Sequence, residues 1–96
     1  MSNSNNSPID RIRVGRVAAA IWKNTGENGK HYYSFTLDRS YEDKEGKWQS
    51  TDSFGLTDAL VVGKVSNLAD TRIRKLYDAD RQAANAQETY DDDVAA

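Results

Sequence analysis

HYYSFTLDRSY, residues 31–41, decides the fold. Tyr33, Phe35 and Leu37 fall on one side of an extended chain, and Tyr32, Ser34, Thr36 and Asp38 on the other. Successive side chains of a β-strand point to opposite faces, so this alternation marks a strand with one face buried. Aromatic and β-branched residues suit such a pleated surface. A sheet is therefore the frame to which the rest of the chain must attach.

The flanks extend it in both directions. Upstream, NTGENGK (24–30) holds two glycines and an Asn-Gly pair and reads as a turn. Downstream, EDKEG (42–46) is a second polar turn. KWQSTDSF (47–54) then reads as a strand, whole or broken in two, with Trp48, Ser50, Asp52 and Phe54 on one side. Residues 9–23 form the first strand candidate. Ile12 and Val14 alternate with Ile9, Arg11 and Arg13. Beyond Gly15, Val17, Ala19 and Ile21 alternate with Arg16, Ala18, Ala20 and Trp22. Glycine inside a strand marks a bulge or bend, which is the expectation at Gly15. The alanine run suits a helix too, but the Ile, Val and Trp around it and the lack of a cap favour a strand.

Gly55 closes the sheet. Thr57 reads as a helix N-cap and Asp58 suits the positive end that follows. Val62, Val65, Ala69, Ile73 and Leu76 recur at three- and four-residue spacings, widened by Val61 and Leu68. That stripe makes an amphipathic helix with one core face over 60–76. Arg72, Arg74 and Lys75 stand towards its C-terminal end, where cations are favoured. The fold class is α+β: a twisted antiparallel sheet of three to four strands followed by one long C-terminal helix. Residues 1–8 read as a disordered arm, 9–77 as the domain, and 78–96 as the helix end and an acidic disordered tail. One sheet face is left without a helix. It must be polar, pair with another copy, or bind something.

A chain of 96 residues allows one domain. Domains of this size bury only about 60% of their unfolded surface, so a homodimer is expected to supply more burial. The chain has no cysteine, hence no disulfide and no thiolate metal site. MSNSNNSPID, residues 1–10, has no apolar run and reads as neither signal peptide nor membrane span. A mean hydropathy of −0.82 suits a soluble protein. A cytoplasmic location without membrane attachment is expected.

Catalysis requires a nucleophile with a base, an acid–base pair or a metal. His31 is the single histidine and stands beside a turn. Glu42, Asp43 and Glu45 lack the spacing of a calcium loop, and Gly26 and Gly29 lie between strands rather than before a helix. No enzymatic activity, cofactor, metal or small-molecule substrate is expected. Cations and aromatic rings are better placed. Arg11, Arg13, Arg16 and Lys23 line the first strand region. Tyr32, Arg39, Tyr41, Lys47 and Trp48 interleave rings with charges on the next two. Single-stranded nucleic acid, DNA or RNA, is held by this combination: cations track phosphates and aromatic faces stack on bases. The net charge of −2 hides an asymmetry. Residues 8–77 hold twelve Lys or Arg against nine Asp or Glu, a balance of +3, while 78–96 hold one against six, a balance of −5. The acidic tail is a candidate competitor for the basic face. The alternative is a protein-interaction or regulatory module, with the same residues serving as core and solvated surface.

The order of these elements resembles the single-stranded-DNA-binding fold of the transcriptional positive cofactor four, shared more loosely with Whirly proteins and small bacterial relatives. The likeness covers about residues 12–76. Ile12-Arg13-Val14-Gly15-Arg16-Val17 is similar to the family's first-strand opening, and residues 41–46, Tyr-Glu-Asp-Lys-Glu-Gly, to its second hairpin. The resemblance implies a homodimer formed through the helix, at Val61, Val65, Leu68 and Arg72, and through a sheet edge. It implies single-stranded DNA on the exposed sheet face, a stacking role for Tyr41 and a phosphate contact for Arg16. Transcription, replication or DNA transfer would be the setting. Ala18 stands where the family pattern leads one to expect a second cation.

Overall fold

A computed structural model of the chain describes the backbone of residues 7–95 and the side chains of residues 7–85. Most of the N-terminal arm, residues 1–6, lies outside the described residues. Four strands form one antiparallel sheet in the order β1-β2-β3-β4: β1 Asp10–Val14, β2 Val17–Thr25, β3 His31–Glu42 and β4 Trp48–Thr51. A 3-10 turn, Leu56–Asp58, leads into one long helix, α1 Ala59–Ala95. This is the α+β arrangement that the sequence implies.

The first strand region divides in two. The chain reverses at Gly15 and Arg16, and Val14 pairs with Val17 across the closing rung. Gly15 has φ of 60°, as required at the first central position of a type II′ hairpin turn. A bulge and a two-residue hairpin both flip the side-chain parity between Val14 and Val17. The alternation alone therefore could not separate them.

Register assigns every side chain to a face. Ile12, Ala19 and Leu37 lie in one row, Val14, Val17 and Arg39 in the next, and Asp10, Ile21 and Phe35 on the other side of the first. This is the helix face. Val65 and Ala69 of α1 pack on Val17 and Ala19, with Ile12, Val14, Leu37, Phe54, Val61 and Val62 around them. Burying a valine side chain contributes roughly 1.5–3 kcal/mol, and the small side chains of Ala19 and Ala69 in the same cluster suit a close approach of helix to sheet. The helix lies mainly over β2 and β1 and covers β3 less, so Phe35 remains 40% exposed.

Two details depart from the sequence reading. Gly55, not Thr57, caps the helical segment: its N–H donates to Asp58 Oδ2 at 2.8 Å, and the Asp58 N–H donates to the Gly55 carbonyl at 3.0 Å. The carboxylate reaches back three residues, and Arg39 pairs with it at 3.4 Å, which leaves Thr57 inside the turn. The helix also continues through the segment expected to be a tail, as far as Ala95. Residues 64–95 contain neither glycine nor proline and are rich in alanine, so little in their propensities stops a helix.

An aromatic clamp holds the middle of α1 to β3. Tyr33 and Tyr77 meet edge to face with ring centroids 5.0 Å apart. The Tyr33 backbone N–H donates to Tyr77 Oη at 3.0 Å, and the Tyr33 hydroxyl donates to Asp80 Oδ2 at 2.7 Å. Burial first, then the Asp80 carboxylate, push the Tyr33 phenol from 10.0 up to about 12.

Candidate nucleic-acid interface

The face of the sheet away from α1 carries the alternate residues of every strand. Its rows run Arg11–Ala20–Thr36, Arg13–Ala18–Asp38, Trp22–Ser34 and Asn24–Tyr32. On the other side, Ser40 pairs with Ser50 and Glu42 with Trp48. Arg16 projects from the β1–β2 turn, and its guanidinium carbon sits 5.4 Å from the Trp48 ring centroid. A cation over an aromatic face is attracted by the ring quadrupole, so each orients the other. Trp48 is 59% exposed and Tyr32 49% exposed.

Polar side chains fix parts of this surface. Trp22 Nε1–H donates to Thr36 Oγ1 at 3.1 Å. Asn24 Nδ2–H donates to Ser34 Oγ at 3.0 Å, and the Ser50 hydroxyl donates to Asp38 Oδ2 at 3.2 Å. The turn that presents Trp48 is organised by Asp43. Its carboxylate accepts from the Glu45 and Lys47 backbone N–H groups, each at 2.9 Å, and from Gln49 Nε2 at 3.1 Å. The Lys47 and Gln49 donors, in that order of weight, hold the Asp43 carboxyl below its usual range.

The nine residues singled out from the sequence do not all meet. Arg11, Arg13, Arg16, Tyr32 and Trp48 share the open face. Lys47 is exposed in the adjoining β3–β4 turn. Lys23, Arg39 and Tyr41 belong to the helix face by register, opposite Tyr33, Val17 and Gln49 respectively. Arg39 is engaged structurally: it pairs with Asp58, donates to the Ser53 carbonyl at 3.2 Å, and lies 5.8 Å from the Tyr41 ring centroid. Trp22 was not among the nine, yet it stands on the open face. Its alternation with Ile21 was the available signal.

The four expected interface residues also divide. Val65 is fully buried in the core of the same chain, and Val61 packs beside it. Arg72 Nε is bound to Asp10 Oδ2 of β1 at 2.7 Å. Leu68 is 41% exposed, and the most exposed leucines are Leu56 and Leu60, which the helical stripe did not include.

A shallow cleft of about 500 Å³ lies between β3 and α1, lined by Tyr33, Ser34, Phe35, Ser66, Asp70 and Ile73. It holds one carboxylate and no cation. Among the described residues no helix is long and apolar enough to cross a membrane. No protein-family model matches the chain, and neither a curated protein nor a solved structure does.

Proposed function

We propose that the protein binds single-stranded nucleic acid, DNA foremost, with little sequence preference, on the sheet face away from α1. The supporting observation is the gathering of Arg11, Arg13 and Arg16 on the same face as Tyr32, Trp22 and Trp48, with Arg16 set over the Trp48 ring. Phosphates would run along the arginines of β1 and the first turn. Bases would stack on the exposed rings, each worth about 1–3 kcal/mol whatever its identity. Lys47 adds a cation beside Trp48. Asp38 and Glu42 place negative charge on β3, so the phosphates belong on the β1 side. Transcription, replication or DNA transfer are settings in which such a binder would act.

A homodimer forms part of the same proposal. Leu56 is 91% and Leu60 89% exposed, and Phe35 and Leu68 are partly open, which is apolar surface that a second copy would cover. The same leucines favour the second reading, a protein-docking module that uses no nucleic acid.

Fluorescence anisotropy of a labelled single-stranded oligonucleotide, at low and moderate salt with duplex as competitor, separates the two. Salt-sensitive binding with a slope of about −2, near 0.7 for each of three arginines, and resistance to duplex are expected. No binding at micromolar protein and low salt would leave the docking module as the better reading.

A further inference from the structure

The sheet has an unfinished edge. β4 is four residues long against twelve in β3, and its last rung sets Thr51 against Arg39. Among the described residues no strand lies beside 31–38 on that side. Alternate residues turn their backbone polar groups to the same edge of a strand. Ser40 gives its N–H inward to the Arg16 carbonyl at 2.8 Å, so Tyr33, Phe35 and Leu37 turn theirs outward. Tyr77 Oη meets the Tyr33 N–H at 3.0 Å. Phe35 and Leu37 face a gap bounded by Tyr77 at one end and Thr51 at the other. Natural sheets blunt open edges with charge. β1 does so: it carries Asp10, Arg11 and Arg13, and Asp10 Oδ1 accepts the Arg11 N–H at 2.8 Å. Residues 33–37, Tyr-Ser-Phe-Thr-Leu, carry no charge. The cleft of about 500 Å³ between β3 and α1 opens beside this stretch, with Phe35 40% exposed, and Asp70 is the one charged residue lining it.

We propose that this edge takes up an extended segment of a partner protein as a short added strand, in line with β4. An antiparallel segment exchanges about four main-chain hydrogen bonds with Phe35 and Leu37. A side chain on its helix side enters the cleft against Phe35 and Ile73, so an apolar residue belongs there. A neighbouring position on that side suits Lys or Arg, because Asp70, though bound to Arg74 through Oδ2 at 2.9 Å, keeps its side chain 53% exposed. A second copy cannot supply the strand by two-fold pairing. An axis through Phe35 or Thr36 brings His31 or Tyr33 of that copy to Arg39, where Thr51 already sits. An axis through Ser34 needs the Tyr33 N–H, which Tyr77 holds. Leu56 and Leu60 stay available to a second copy. The edge site does not depend on the nucleic-acid reading.

An end-blocked fluorescent peptide, Lys-Thr-Val-Thr-Val-Thr, carries its lysine and both valines on one side. It is expected to bind the full chain in anisotropy titrations. Methylating the backbone nitrogens of both valines removes their N–H donors and should weaken binding by at least about tenfold. Asp70→Asn should weaken it by about threefold. Amide hydrogen exchange reads the edge itself: Phe35 and Leu37 should exchange fast in the free protein and slow by at least about tenfold at saturating peptide. Equal binding of the methylated peptide, no binding up to about 1 mM peptide, or fast exchange of both amides with peptide bound would each overturn the proposal. Slow exchange in the free protein that deepens with protein concentration would overturn it in favour of a second copy.

Discussion

The two faces of β2 differ by one residue in phase and by everything in environment. Val17 and Ala19 are buried under α1, and Ile21 is buried on the same face. Ala18 and Ala20 are nearly as inaccessible, though register places them on the face away from the helix. Burial on the first face is a packing contact between layers. On the second it comes with flanking residues larger than alanine: Arg11, Arg13, Thr36 and Asp38. A low exposure thus has two meanings, and only the position of the helix separates them.

The contrast can be broken most directly by deleting core volume. Ile21→Ala, on the helix face, should cost about 2–5 kcal/mol in urea unfolding, while Trp22→Ala next to it should cost far less stability and weaken oligonucleotide binding. If both lose stability equally, the faces are not distinct. Removing charge comes next. Replacing Arg11, Arg13 and Arg16 together by alanine should flatten the salt dependence of DNA affinity by about 2, at near 0.7 per cation, without moving the urea midpoint.

A finer contrast sets Trp48 against Tyr41. Trp48→Ala should lose about 1–3 kcal/mol of binding free energy, whereas Tyr41→Ala, on the helix face beside Arg39, should leave anisotropy titrations unchanged. The reverse result would favour the role that the family resemblance implies for Tyr41.

The Tyr33 clamp yields a pH signature confined to the helix face. An unfolded tyrosine ionises near 10.0 and Tyr33 in the fold at about 12. Below pH 10 the phenol is neutral in both states and its contribution is whole. Between pH 10 and 12 the unfolded chain gives up its proton first, so stability falls as pH rises. Urea midpoints should decline over that interval, and Tyr33→Phe should decline less.

The smallest expected effect concerns the acidic end. The clamp carries α1 past the β2–β3 turn, with Ala83 and Ala84 beside Gly29 and Lys30, on the side of the sheet away from the arginines. From Ala84 to Ala95 the helix advances roughly 16 Å further, at 1.5 Å per residue, beyond the Debye length of about 10 Å at 0.1 M salt. Truncation after Asn85 should therefore change DNA affinity by less than about twofold at that salt. A larger gain would mean that the tail reaches the arginine face after all.

Alternation and helical spacing determined much of this molecule unaided. Residues 31–41 are a strand because their apolar side chains fall at every second position. The stripe through Val62, Val65, Ala69, Ile73 and Leu76 is a helix because its spacing follows the helical repeat. The sheet-plus-helix architecture follows from those two patterns. What they could not carry is parity across Gly15, since a hairpin and a bulge shift it alike, and the extent of the helix, since polar alanine-rich sequence is compatible with helix and tail. Tertiary structure alone decided which cations meet which rings. Register across three strand pairs placed Arg11, Arg13 and Arg16 with Trp22, Tyr32 and Trp48, while the docking side of α1 assigned Lys23, Arg39 and Tyr41 to the other face. A residue's parity is local, but the face that parity denotes exists only once strands pair and a helix covers one side.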